Sequence, residues 1–397
     1  MFIREKERQI PVTVECDTLV CGGGIAGISA ALAAARCGKK VTLIERMFAL
    51  GGLATLGLVT IYLPLCDGNG RQVSFGIAEE LLRLSIKNGI EGIHLAESWL
   101  DNRDEKTERF EVTYNPSIFA IEAEKLLIEN GVKLLYGTTL CDAVTENGRI
   151  THVVIENKSG RSAISATTFI DASGDADLCK LSGEGTVTFK QGNVPASWYY
   201  FTENGMTNLR MLGFADVPDS MKTPEQLAEA KKSLRFGGLD AEEVTELTVF
   251  SHAKLLDDFL KKGKNSDTYS LTQIASIPQL RMTRRVDGLY TQDDTEMHKE
   301  YEDSVGMFSD WRKAGPVYEL PFRCLQGKNI SNLLSCGRII SSTDSMWDIT
   351  RVIPVCAVSG EAVGVACGLF DDFKNIDIGK LQNKLKENGV ILHESDL

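Results

Sequence analysis

The chain has 397 residues, 43% hydrophobic and 25% charged, the mix of a soluble globular protein with room for two to three domains at about 150 residues each. Lys and Arg total 43 against 55 Asp and Glu, a formal charge of −12, which speaks against a general basic surface and a nucleic-acid partner. No apolar run approaches the roughly 20 residues of a membrane span, and the charged start MFIREKERQI lacks the apolar core of a signal peptide, so a cytoplasmic protein is expected.

Asp17 to Cys21 (DTLVC) reads as a short strand and Gly22 to Gly27 (GGGIAG) as a glycine turn. Ile28 to Cys37 is an alanine-rich helix stopped by Gly38. Lys40 to Glu45 (KVTLIE) is a second apolar strand, short and β-branched enough to sit inside a parallel sheet. Together they form one βαβ unit. After a second glycine cluster, Phe75 to Lys87 has the pattern of an amphipathic helix. Asn115 and Pro116 supply a cap and a first-turn proline for a helix from about Ser117 to Asn130, ended by Gly131. Val132 to Tyr136 is a strand. From Thr138 to Ile170 the pattern alternates every two residues, with turn signals at Asn147-Gly148 and Ser159-Gly160. That predicts a three-stranded antiparallel meander running into the turn Asp171-Ala-Ser-Gly-Asp175.

Residues 187–320 change character. They hold the aromatic stretch Ser197-Trp-Tyr-Tyr-Phe201, helices expected over 223–234 and 241–263, and a strand-like stretch around Thr272 to Arg285. From Pro321 short apolar strands return (Asn332 to Cys336), followed by a long small-residue helix from Pro354 to about Leu369. The expected architecture is α/β: a Rossmann-like domain with an antiparallel meander, discontinuous over 1–186 and 321–397, and an inserted α+β substrate or cap domain over 187–320.

Gly22-x-Gly24-x-x-Gly27 fits the dinucleotide fingerprint in the right setting, with a strand before and a helix and strand after. The first glycine permits the turn, the second lets the backbone approach a pyrophosphate, and the third lets helix and strand pack closely. The phosphates would sit on the helix N-terminus, at Ile25 and Ala26, where free N–H groups favour anions. Glu45, ending the second strand, would accept hydrogen bonds from an adenosine ribose, with Arg46 beside it. The glycine distribution agrees: 36 in the chain, eight of them from Gly22 to Gly57. Gly51, Gly52, Ala54 and Thr55 follow the acidic strand, and the small residues there suit a backbone passing close to a flat ring.

Four segments resemble the FAD-dependent oxidoreductases with a glutathione-reductase-like flavin domain, and more closely the bacterial branch grouped with the flavin subunit of heterodisulfide reductase. They are Gly51-Gly-Leu-Ala-Thr55, Phe169-Ile-Asp-Ala-Ser-Gly-Asp175, Cys336-Gly-Arg-Ile-Ile-Ser341 and Arg351-Val-Ile-Pro-Val-Cys-Ala-Val-Ser-Gly-Glu-Ala-Val-Gly364. The resemblance implies FAD as cofactor. It places Ala172, Gly174 and Asp175 past the pyrophosphate, Gly337 and Arg338 by the ribityl chain, and Val352 and Ile353 at the flavin ring; Leu140 joins the expected cofactor-binding set. The N-terminus of the last helix would face the N1–C2=O edge of the flavin and stabilise negative charge there. Gly360, Gly364 and Gly368 leave one face of that helix bare, for close packing or for flavin proximity. The branch's cysteine runs for iron–sulfur clusters are missing. Ten cysteines are spread without a C-x-x-C pair, so reduced thiols and no metal are expected. There is one dinucleotide fingerprint, hence no separate NAD(P)H domain.

Candidate substrate-binding residues are Arg281, Arg284, Arg285 and Arg351, whose guanidinium groups suit a carboxylate or other anion. In a strand, Arg281 and Arg285 would share a face. His94 is the least ordinary of five histidines, and Cys66 a remote candidate for a covalent flavin bond. The leading expectation is an FAD-dependent oxidoreductase moving hydride between a small organic substrate and flavin N5, with an electron-donor or acceptor protein as a possible partner. The alternatives are an electron-relay or regulatory flavoprotein without its own substrate, and an NAD-dependent dehydrogenase. Neither substrate nor oligomeric state is legible.

Overall fold

The computed structural model of the chain describes residues 3, 7–88, 111–213 and 218–397; His94 lies outside them. The expected βαβ unit is β1 (Val12–Cys21), α1 (Ile25–Arg36) and β2 (Val41–Ile44). A short ribbon pairs β3 (Ile61–Tyr62) with β4 (Val112–Thr113), flanking α2 (Ile77–Lys87). Then come α3 (Pro116–Glu129), β5 (Lys133–Leu135), and the meander β6 (Thr139–Glu146), β7 (Arg149–Asn157) and β8 (Gly160–Asp171). The start of α3 is set locally: Pro116 opens its first turn and the Asn115 side chain accepts the N–H groups of Ser117 and Ile118.

Strand order in the main sheet is β5-β2-β1-β8-β7-β6. β8 does double duty. Its first half pairs antiparallel with β7, while its length runs parallel to β1. Its last residues, Phe169 to Asp171, pair in parallel with β16 (Leu333–Ser335). The late strand therefore returns to the first sheet. Alternation along β1 feeds two cores. Val20 faces the cluster built on α1, whereas Leu19 and Cys21 face Ile44, Val153, Ile164 and Phe169.

Between β8 and β16 lie α4 (Asp177–Ser182), β9 (Thr186–Thr188), β10 (Ser197–Glu203), β11 (Met206–Leu212), α5 (Pro224–Ala230), α6 (Ala241–Lys262), β12 (Tyr269–Ile274), β13 (Arg284–Val286), β14 (Ser304–Ser309) and β15 (Val317–Pro321). β11, β10 and β12 form a separate antiparallel sheet. Its apolar face packs on α6 through Tyr199, Phe201, Leu255 and Phe259, with Phe259 stacked on Tyr269 at 4.6 Å. Val305, Phe308, Tyr318 and Leu320, from β14 and β15, belong instead to the cluster that holds α1.

The strand expected over 272–285 breaks in the middle. β12 stops at Ile274 and β13 starts at Arg284. Pro278 has no N–H for a ladder, and the Asn193 Oδ1 accepts the N–H groups of Arg281 (2.9 Å) and Met282 (3.1 Å) in place of a neighbouring strand. Arg281 and Arg285 therefore do not share a strand face. The helix expected over 223–234 is shorter, ending at Ala230.

The chain closes with α7 (Asp344–Thr350), α8 (Ile353–Leu369) and α9 (Ile378–Glu387). The bare glycine face of α8 lies on α1, not on a cofactor site. A Cβ on Gly360 or Gly364 would overlap the carbonyl oxygen of Ala26 or Ala30, and one on Gly368 the side chain of Cys37. Among the described residues no single helix is long and apolar enough to cross a membrane.

Glu361, buried on α8, accepts the Ile77 N–H at 2.7 Å and so caps α2 from a distant element. Burial raises its pKa from 4.5 to about 8, against the lowering effect of that N–H. With the folded value above the unfolded one, the native state holds a proton that the unfolded chain releases. Stability is then full below about 4.5 and falls as pH rises to about 8. Glu361→Gln keeps the acceptor without the titration. Its melting temperature should exceed the wild type's by a margin that widens from pH 5 to pH 8; an equal margin at both pH values would contradict this.

Candidate active site

The main sheet's parallel strands end at one edge, and a cavity of about 570 Å³ opens there. This is the crevice outside the carboxyl ends of an α/β sheet, where ligands of such folds bind. Its floor comes from the turns after β1, β2, β8 and β16. Gly22, at φ +111°, makes the first turn in the left-handed region that a side chain disfavours. Gly51, at φ +99°, makes the second, and its N–H donates to the Gly23 carbonyl at 2.8 Å, tying the two glycine loops together. Gly24 has open space where a Cβ would stand.

Two helix N-termini point at this space. α1 begins after Gly24 and α8 after Val352, and neither has a side-chain cap. Their first N–H groups need an acceptor from elsewhere. Glu45 is held in place by two backbone donors: Gly23 N–H to Oε2 at 2.7 Å and Met47 N–H to Oε1 at 2.8 Å. Asp171, fully buried, folds the turn after β8 by accepting the N–H groups of Ser173 and Cys179 and the Ser173 hydroxyl. Asp175 takes Arg338 Nη2 and the Thr283 hydroxyl, each at 2.6 Å, and Arg338 also reaches the carbonyls of Gly174 and Leu280.

Of the residues expected at a cofactor, Gly22, Gly24, Ile25, Ala26, Glu45, Arg46, Gly51, Gly52, Ala54, Ala172, Gly174, Asp175, Gly337, Arg338, Val352 and Ile353 line the cavity. Three expected residues lie off it. A Cβ on Gly27 would overlap the Gly22 carbonyl oxygen, so this glycine serves helix–strand packing. Thr55 is buried beneath the second loop, its hydroxyl donating to Leu50 O. Leu140 sits on β6, packed against the cluster of Ile44 and Val153.

The four arginines separate. Arg281 and Arg351 line the cavity. Arg284 does not; it donates to Asp175 O at 2.8 Å and Asp177 Oδ1 at 2.7 Å. Arg285 is turned the other way, towards Val286 O and the Ser341 hydroxyl. Arg351 pairs with Asp348 at 2.5 Å and lies over the Trp311 ring. Cys66 is buried away from the cavity.

Apolar lining comes from the second sheet and the segment after β12 (Trp198, Met211, Ile277, Pro278 and Leu280) and from the stretch after the second glycine loop (Leu56, Val59, Ile61, Leu63 and Pro64). Trp198 shows that the aromatic stretch serves two ends, since its neighbours Tyr199 and Phe201 face the α6 core. Sequence reading missed Trp311, Arg312 and Cys356, which also line the cavity. Cys356 had a signal available, one turn into the motif-bearing helix. Its thiol is pushed up to about 12 by burial. Among the described residues no cluster of three or more His, Cys, Asp or Glu could hold a metal.

Fold and crevice together define an α/β dinucleotide-binding protein. A family model described as FAD dependent oxidoreductase matches residues 17–202 and 202–385. The chain belongs to this family; it is an enzyme and its cofactor is FAD, which sets the NAD-dependent alternative aside. Similar solved structures include a geranylgeranyl bacteriochlorophyll reductase-like protein from Thermoplasma acidophilum, 13% identical, covering 94% of this chain and 83% of that one with a TM-score of 0.49. Another is the p-nitrophenol 4-monooxygenase PnpA from Pseudomonas putida DLL-E4, 10% identical, covering 94% and 81% with a TM-score of 0.43. No curated protein matches the chain.

Proposed function

We propose that this enzyme moves hydride between a small organic substrate and flavin N5. The supporting observation is the cavity itself, lined by the glycine turns of the main sheet and by apolar residues, some of them supplied by a different sheet. FAD, when bound, supplies the hydride-accepting and hydride-donating ring. The chain's own residues bind and orient. With FAD bound, the free N–H groups at the start of α1 would hold the pyrophosphate, with Gly24 leaving room for it. Glu45, fixed by Gly23 and Met47, would hold the ribose. Gly51 and Gly52 would let the backbone approach the flavin, the N-terminus of α8 at Val352 and Ile353 would favour negative charge on it, and Arg338, anchored on Asp175, would help to hold the cofactor's chain. Trp198, Ile277 and Pro278 exclude water from the substrate side.

The division into a flavin domain, residues 1–186 and 321–397, and an inserted unit belongs to the same reading. The packing of Val305, Phe308, Tyr318 and Leu320 with α1 favours moving the second boundary ahead of β14. Anaerobic mixing of the yellow holoprotein with small organic donors tests the function. The expected result is bleaching of the flavin band by at least one donor class. Bleaching by reduced carrier proteins alone would overturn it in favour of an electron relay.

A further inference from the structure

One buried cation at the cavity has no hydrogen-bond or ion-pair partner among the described residues. Arg281 is 6% exposed, yet its Nε and Nη1 are buried without a hydrogen bond, and no acid among the described residues pairs with it. Its guanidinium lies over the Trp198 ring, 5.3 Å from the centroid. Asn193 fixes the backbone at Arg281 and Met282. The other arginines of the lining are accounted for. Arg338 pairs with Asp175 at 2.6 Å, Arg351 with Asp348 at 2.5 Å and Arg312 with Asp310 at 2.9 Å, while Arg46 is exposed. Burial, then repulsion from Arg351 and Arg338, lowers the Arg281 pKa to about 9, so it remains cationic at neutral pH. A desolvated, unpaired cation destabilises the folded chain unless something anionic completes it.

We propose that Arg281 binds the carboxylate of the substrate, and that this substrate is an apolar monocarboxylate. Naming the ligand a substrate rests on the hydride-transfer reading above; its binding does not. The charge count supports a single carboxylate: one buried, unpaired guanidinium matches one negative charge, while Arg312, Arg338 and Arg351 are already paired with acids of the chain. The apolar body follows from Trp198, under the guanidinium, and from Met211, Ile277 and Leu280, which line the same cavity. A planar guanidinium offers two parallel N–H donors to a carboxylate. An arginine kept only for packing on Trp198 would leave its N–H groups unsatisfied where a methionine would not.

The test titrates FAD-loaded enzyme with benzoate, following the flavin spectrum and binding heat, beside benzamide, phthalate and phenyl phosphate. Benzoate should bind saturably, benzamide about 100-fold more weakly, and the two dianions more weakly than benzoate. Arg281→Met should weaken benzoate about 100-fold while keeping one FAD per chain. Its melting temperature should equal or exceed the wild type's, because an unpaired buried charge is gone; a structural arginine would give the opposite shift. Arg281→Lys keeps the charge but not the fork, and should bind benzoate about tenfold more weakly, so the test survives a misfolded methionine variant. Wild-type benzoate affinity in either variant overturns the proposal. Loss of FAD together with benzoate also overturns it, assigning Arg281 to the cofactor's phosphates. Benzoate binding in an enzyme that no small donor reduces would sink the hydride-transfer reading and leave this one standing.

Discussion

Gly364→Val should abolish the native holoprotein. The α1–α8 crossing brings Gly364 against Ala30 so closely that even a Cβ would overlap the Ala30 carbonyl oxygen, and Ala33 stands beside it. Both helices are buried over almost their whole length, so neither can retreat without opening the main core. Overpacking at such a site costs about 3 kcal/mol or more. The crossing also aims both uncapped N-termini at the cavity, so the same change should release FAD. The measurements are melting temperature and flavin per chain on purified protein. Gly379→Ala, in α9 with only Asp377 Oδ1 nearby at 3.4 Å, should leave both unchanged. A Gly364→Val protein with wild-type melting and flavin content would refute the packing account.

Glu45→Ala should lower FAD affinity by at least about tenfold, the loss of one or two charge-assisted hydrogen bonds. The carboxylate ties Gly23 and Met47 together as well as facing the cavity. The variant therefore loses a ribose acceptor and loosens the glycine loop at once. Folding should suffer little, because Glu45 is half-buried at the edge of the sheet and not in either core. Equilibrium dialysis against free FAD reads the effect. Glu45→Gln, able to accept from only one of the two donors, should fall between. Flavin retention at the wild-type level in the alanine variant would remove Glu45 from the cofactor site.

The βαβ unit, the α3 cap and the meander were legible because their determinants are local. Gly22 needs a left-handed turn that its neighbours in sequence dictate, and Asn115 caps N–H groups two and three residues on. The same holds for the glycines that line the cavity, since room at those turns is made by absent side chains at fixed spacing. Gly27, expected among the cofactor residues, packs helix against strand and does not border the cavity.

The substrate wall was not legible. Arg281, Arg284 and Arg285 look alike in sequence, three guanidinium groups within five residues. Which one stays free was decided by acids and carbonyls more than a hundred positions away: Asp175 and Asp177 take Arg284. Asn193, far upstream, replaced the strand ladder that alternation predicted through this segment. Trp311 and Arg312 reach the cavity only because β14 and β15 fold back onto the core of the first sheet. The chain by itself determined where its backbone must turn and leave room, because steric demands act between neighbours. Only the tertiary structure decided which charge is left without a partner, because pairing and desolvation depend on groups that folding brings together from distant parts of the chain.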